Sequence, residues 1–217
     1  MMHNTVKNLI YIEDLIKSKV NHVKLAQIIA VSKTFPIENI LPLIDHGHLH
    51  YGENKVQEAI DKWTKIKKIN DNIKLHLIGG LQTNKVKLAL NIFDYIHSLD
   101  SEKLAIKISK EQVKQKKKLK IFIQVNIGNE DQKSGIHKDS LVDFYIFCKK
   151  LDLDIIGTMC IPPNNGNTEE YFSKMNQINQ QLNFKELSMG MSGDYLEAIK
   201  NNATYIRVGS NIFGSRT

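Results

Sequence analysis

Three groups of residues in this chain have the types and placement to do chemistry. The apolar run 27–32 ends in Ser32-Lys33, which puts a primary amine at the carboxyl end of a strand-like segment. A lysine there would lay its stem against apolar walls, and desolvation would favour the neutral amine that condenses with carbonyl compounds. The bland reading is a solvated lysine that closes a strand. Far along the chain, Ser188 to Ser192 (SMGMS) and Gly209-Ser210 each precede a helical pattern. Together they offer backbone amides, small residues and hydroxyls to an anion, whereas singly they would serve as caps and turns.

Arg207 lies on the strand-like run just before the second of these segments. It would aim a fixed planar donor at a phosphate or a ring nitrogen, or form an ion pair across strands. Of the 30 lysines and arginines only Arg207 and Arg216 are arginine, so a guanidinium at position 207 points to a geometric need that lysine does not meet. Arg216 reads as a structural or surface ion pair. An amine, an anion cradle and an arginine between them suit a phosphorylated carbonyl compound. Pyridoxal 5′-phosphate meets all three requirements. A Schiff-base aldolase acting on a sugar phosphate is the alternative, although no acidic proton-transfer dyad accompanies the lysine.

Other polar residues carry less. Glu53 and Asn54 stand at a strand end, where Asn54 could touch a bound ring and Glu53 could pair with Lys85 or another lysine at the barrel mouth. His76 alternates with Leu75, Leu77 and Ile78 and reads as a hydrogen-bonded core histidine that could line the pocket. His46, His48 and His50 recur at every second position, but no carboxylate or cysteine pattern accompanies them, and no metal is expected. Cys148 and Cys160 lack a zinc or redox spacing and read as buried thiols.

The elements that must position these residues alternate in a regular way. Apolar runs at 27–32, 49–53, 74–79, 95–98, 120–126, 154–159, 186–189 and 205–209 read as eight strands. Helical patterns lie between them at 37–45, 55–67, 84–90, 101–115, 138–151, 168–182 and 193–201. A run such as Ile121 to Val125 is apolar without strict alternation, as in strands covered on both faces. The expected fold is a single (β/α)8 barrel, a TIM barrel of the α/β class, spanning 1–217 with an extra amphipathic helix over 4–20. Periodicity alone leaves a doubly wound sheet open. Barrels place chemistry at the carboxyl ends of their strands, and phosphate sites after strands seven and eight. Lys33, Asn54 and the two cradle segments fall there.

Composition narrows the function. The chain has 217 residues, 41% hydrophobic and 24% charged, with a formal net charge of +7, which fits a globular domain. Its lysines are scattered singly, and the dense run Lys114 to Lys120 has no interleaved aromatics to stack bases, so no nucleic acid is expected. No run reaches bilayer length, and the first helix lacks the apolar core of a signal peptide. The expectation is a cytoplasmic monomer without a membrane partner.

The ordered stretches Ala30 to Pro36 (AVSKTFP), Tyr51 to Glu58 (YGENKVQE), His76 to Lys85 (HLIGGLQTNK), Gln124 to Gly135 (QVNIGNEDQKSG), Gly157 to Pro162 (GTMCIP), Leu187 to Asp194 (LSMGMSGD) and Ile206 to Arg216 (IRVGSNIFGSR) span nearly the whole chain. Through them it closely resembles the pyridoxal phosphate homeostasis (YggS/PROSC) family, which has the barrel of the alanine racemase N-terminal domain. The resemblance implies that Lys33 forms the internal aldimine and that Arg207 faces the pyridine nitrogen. Ser188, Gly209 and Ser210 would hold the phosphate, with Met189 and Ser192 close by. Phe35, Tyr51 and Gly80 depart from the family pattern without removing an implied contact. The second domain that supplies a racemase's opposing tyrosine has no counterpart in this sequence. The expected role is therefore a carrier in vitamin B6 homeostasis with no or negligible catalysis, in transient contact with PLP-dependent apoenzymes. The alternative is a PLP-dependent amino-acid racemase.

Overall fold

The computed structural model describes residues 2–20, 26–130 and 132–215, which leaves Arg216 outside the described residues. Eight parallel strands close into a barrel: β1 (Gln27–Val31), β2 (His50–Glu53), β3 (Lys74–Leu77), β4 (Tyr95–Leu99), β5 (Lys120–Asn126), β6 (Asp154–Met159), β7 (Glu186–Met191) and β8 (Tyr205–Val208). The last strand pairs back on the first, with Ile29 opposite Arg207 and Ala30 opposite Val208. That seam settles the choice left open by periodicity in favour of the (β/α)8 barrel. A two-residue strand, Ile136–His137, lies beside β5 inside a stretch that reads as loop.

Helices cover the outer face of the barrel. Helix α1 (Asn4–Lys19) starts where the His3 ring accepts from the Thr5 amide, and buries Val6, Leu9, Ile12 and Ile16 along one stripe. The stripe packs on α2 (Leu41–Asp45) and on α9 (Ser210–Phe213), and Asn8 donates to the Ile212 carbonyl. Helices α3 (Val56–Ile69), α4 (Val86–Ile92), α5 (Glu102–Gln115), α6 (Leu141–Lys150), α7 (Thr168–Gln181) and α8 (Tyr195–Lys200) complete the ring.

Strand alternation separates two cores. Outward side chains such as Leu75, Ile121 and Met189 join the large core under the helices. Ile29, Tyr95, Phe122, Met159 and Tyr205 form a smaller cluster inside the barrel. The alternation is interrupted on β7, whose register on β8 shifts between Ser188 and Met191. Gly190 makes that bulge at φ +88°, and a Cβ there would come within 2.5 Å of Ala198 Cβ. The bulge lets Ser188 point inward while Met191 and Ser192 reach the rim. Gly190→Ala is expected to cost roughly 1–2 kcal/mol for the left-handed backbone and roughly 1–3 kcal/mol for overpacking. A loss of unfolding free energy below about 1 kcal/mol in a urea melt would show that the bulge relaxes freely.

Candidate functional site

A cleft of about 530 Å³ opens at the carboxyl ends of the strands, within the size range of small-molecule sites. Lys33, Asn54, Ser192, Arg207, Gly209 and Ser210 all line it, joined by Val31, Ile78, Ile161, Met191 and Gly193. The sequence places six candidates there and misses the apolar lining. Ile78 and Val31 are ordinary inward strand residues, and Met191 reaches the rim only because of the bulge.

His76, Ser188 and Met189 are not brought to the cleft. His76 points inward one layer below it, where Ile78 takes the mouth position, and is fully buried. Ser188 also points inward and bonds Arg207 and His97. Met189 points outward into the helix-covered core. Period-two alternation separates these three from the cradle residues that neighbour them in sequence.

Arg207 is 5% exposed. Its Nη1 donates to Ser188 Oγ at 2.8 Å and its Nη2 to the Cys160 carbonyl at 2.9 Å. A guanidinium has five N–H groups, so these bonds leave donors for the cleft. Burial lowers its pKa, with the Cys160 and Asp194 charges opposing. Burial also pushes the Cys148 and Cys160 thiols up to about 12, and both cysteines are free.

The two cradle segments are clamped together. Ser192 Oγ accepts from the Gly209 amide at 3.2 Å, and Asn211 Nδ2 donates to the Ser192 carbonyl at 2.9 Å. Asp194 Oδ1 accepts from the Met191 amide and holds the turn. Ser192 thus keeps its own hydroxyl proton for an anion.

Lys33 is positioned from behind the barrel wall. Ser32 and Thr34, its chain neighbours, are tied to a cluster of charges on β2 and α3. Ser32 Oγ donates to Glu53 Oε1 at 2.8 Å, and the Lys62 ammonium reaches the Ser32 carbonyl, Glu53 and Glu58 at 2.9–3.0 Å. Thr34, in the left-handed region at φ 68°, donates its amide to Glu58 Oε1 at 2.5 Å. Strained backbone of this kind persists where its surroundings hold it. Glu53 therefore pairs with Lys62 and with the Trp63 indole rather than with Lys85, because it points outward under α3.

Burial pushes the Glu53 carboxyl above its ordinary range, against the opposing pull of Trp63, Lys62 and Ser32. Burial acts the same way on Glu58, but the Thr34 amide and Lys62 outweigh it and hold that carboxyl below the usual range. Glu53 Oε2 is buried with no hydrogen-bond partner. Glu53→Gln would turn that oxygen into a buried unpaired amide and remove the charge facing Lys62. The expected loss is about 1–3 kcal/mol in a urea melt, and an unchanged midpoint would show that the cluster is not holding the wall.

The three alternating histidines do not converge. His46 caps α2, His48 Nε2 pairs with the His50 carbonyl, and His50 turns into the barrel. Among the described residues no group of three or more His, Cys, Asp or Glu side chains could hold a metal ion. No helix among them is long and apolar enough to cross a membrane.

The donor set fits an aldehyde that also carries a phosphate and a ring acceptor: an amine, a buried guanidinium, and hydroxyls beside glycine. The family described as the alanine racemase N-terminal domain matches residues 10–217. A pyridoxal phosphate homeostasis protein of Vibrio cholerae is 38% identical over 88% of this chain and 85% of its own. One of Aquifex aeolicus is 36% identical over 88% and 87%. The solved structure of PipY from Synechococcus elongatus with PLP bound superposes with a TM-score of 0.85 at 31% identity, covering 97% of this chain and all of that one. An alanine racemase of Clostridium difficile shares the fold, with a TM-score of 0.75 at 15% identity, over 98% of this chain and 57% of its own. On the match to nearly the whole barrel and the identity to relatives of like length, this chain belongs to the pyridoxal phosphate homeostasis protein family.

Proposed function

We propose that this protein binds pyridoxal 5′-phosphate covalently through the Lys33 amine and serves intracellular vitamin B6 homeostasis as a carrier with no or negligible turnover. The observation that carries this reading is the convergence of Lys33, Arg207 and the Ser192/Gly209/Ser210 segments on one cleft. The names of the relatives and the PLP bound to PipY support it. The bound cofactor would supply an aldehyde carbon for the amine and an electron-withdrawing ring. Arg207 would face the ring nitrogen and oppose its protonation, since a second positive charge beside a buried guanidinium is unfavourable. That weakens the ring as an electron sink. Ser192, Gly209 and Ser210 would hold the phosphate, and Asn54 would border the ring. The carrier is a single barrel domain, cytoplasmic and monomeric, that meets PLP-dependent apoenzymes transiently and has neither nucleic-acid nor membrane partners.

Among the described residues lining the cleft, the ionisable side chains are Lys33 and Arg207. Racemisation needs a proton donor and an acceptor on opposite faces of the substrate carbon, and Arg207 is too basic to act as either. Absorbance of the purified protein with added pyridoxal phosphate, before and after borohydride, tests binding. Alanine turnover tests the rest. A visible band that borohydride fixes to the chain, without steady racemisation, is the expected result. Steady racemisation would replace the carrier by the racemase, and the absence of any band would remove the cofactor.

A further inference from the structure

Beneath the cleft a file of side chains runs down the barrel axis. Below the Arg207–Ser188 bond, Ser188 Oγ lies 2.9 Å from His97 Nδ1, His97 Nε2 lies 2.9 Å from His76 Nδ1, and His76 Nε2 lies 2.9 Å from His50 Nδ1. Arg207, Ser188, His97 and His76 are buried. His50 is partly exposed at the opposite mouth of the barrel, among His48, Lys74, Asp94 and Lys120. Aromatic walls hold the ring planes: Tyr95 stacks on His76 at 4.1 Å and Phe122 on His97 at 4.3 Å.

The polarity of this file follows from its first member. A guanidinium donates and never accepts, so Ser188 Oγ accepts from Arg207. The single hydroxyl proton is then best used toward His97 Nδ1. A neutral imidazole that accepts at Nδ1 carries its proton on Nε2. His97 therefore donates to His76 Nδ1, and by the same logic His76 donates to His50 Nδ1. The opposite polarity would leave the Ser188 proton outside the file and turn the positive ends of three imidazole dipoles toward the guanidinium. Protonation of either inner ring would break the file, because an imidazolium has no acceptor. Burial, aided by neighbouring positive charges, keeps both neutral.

We propose that His97, His76 and His50 are positioning residues for Arg207: a one-way file of Nε2–H tautomers that fixes the Ser188 hydroxyl in the rotamer that accepts from the guanidinium. Its effect on a bound cofactor rests on the reading that Arg207 faces the ring nitrogen, but the file itself does not.

Two measurements separate these levels. In the cofactor-free protein, 15N shifts of the histidine rings are expected to show His97, His76 and His50 as Nε2–H tautomers. An Nδ1–H tautomer at His97 would overturn the proposal whether or not the protein binds pyridoxal phosphate. With pyridoxal phosphate added, His97→Asn keeps a polar atom near the Nδ1 position, whereas His97→Gln and His97→Phe do not. Affinity is expected to fall roughly tenfold in the Gln and Phe variants, the size of one lost hydrogen bond to a charged network. The visible band of the bound cofactor is expected to move in both, and to return toward the wild type in the Asn variant. Equal losses in Asn and Phe would mean that His97 only fills space, and would sink the idea.

Discussion

Lys33→Ala is expected to abolish the visible band and borohydride fixation completely, and to weaken retention of pyridoxal phosphate at least about a hundredfold, ~2.7 kcal/mol. Among the described residues lining the cleft Lys33 supplies the one amine, and a neighbouring lysine is not free to replace it. Lys62, whose ammonium bonds the Ser32 carbonyl next to Lys33, is 9% exposed and committed to Glu53 and Glu58 behind the barrel. Arg207 and the Ser192/Gly209 clamp stay in place in the variant, so weak, non-covalent binding should persist and should weaken with added inorganic phosphate. Lys118→Ala, which loses only an exposed ion pair with Asp152, serves as the control and should keep the band. Borohydride fixation at full yield in Lys33→Ala would assign the covalent bond to another lysine.

The second large effect is acid unfolding that begins unusually close to neutrality. Burial lowers the His48 and His50 rings from 6.5 to about 4, and His76 and His97 well below their ordinary value, with neighbouring positive charges adding to the effect. For a base whose folded pKa is depressed, the unfolded chain binds the proton first. The contribution to stability is therefore whole above 6.5 and is lost as pH falls toward 4. Each excluded proton steepens the loss by roughly 1.4 kcal/mol per pH unit, and four act together. Burial raises the Glu53 and Asp100 carboxyls, which works in the opposite sense and offsets part of the loss. Urea midpoints at pH 7.5, 6 and 5 should fall steadily, with unfolding at pH 5 taking up more than two protons. A midpoint independent of pH across that interval would mean that these rings titrate freely in the folded protein.

Much of the fold is legible because each element carries its own period. The eight strand-like runs agree with the observed strands to within two residues at each end, and β5 and β6 keep their expected bounds. Helix breaks are harder to read, since 37–45 divides at Ile40 into a 3-10 turn and α2, with Pro42 in the first turn of α2. The site was legible where residues fall beyond strand ends, as with Lys33, Asn54, Ser192 and Ser210. It was misread where the face of a strand decides. Ser188 and Met189 look like one cradle in the sequence, yet the pleat and the Gly190 bulge send them to opposite sides of β7. Glu53 looks like a mouth residue, yet its outward face meets Trp63. The axial histidines are invisible as a group in the sequence, because His50, His76 and His97 lie on three strands: His50 reads with His46 and His48, His76 reads as a core residue, and nothing singles out His97.

The pairing of β8 onto β1 also sets the order in which function can arise. Lys33 follows the first barrel strand, whereas Arg207, Gly209 and Ser210 lie on or just after the last, so the cleft exists only once the ring has closed across the longest separation between paired strands. Such contacts come late in folding because the entropy of closing the loop precedes any gain from it. A nascent or partly folded chain therefore holds Lys33 apart from Arg207, Gly209 and Ser210, with no assembled cleft. Once closed, a bound ligand that touches both sides of the seam acts as a lock on it, raising stability by mass action with the logarithm of the free pool. The lifetime of the folded barrel thereby becomes a readout of how much of that ligand is present.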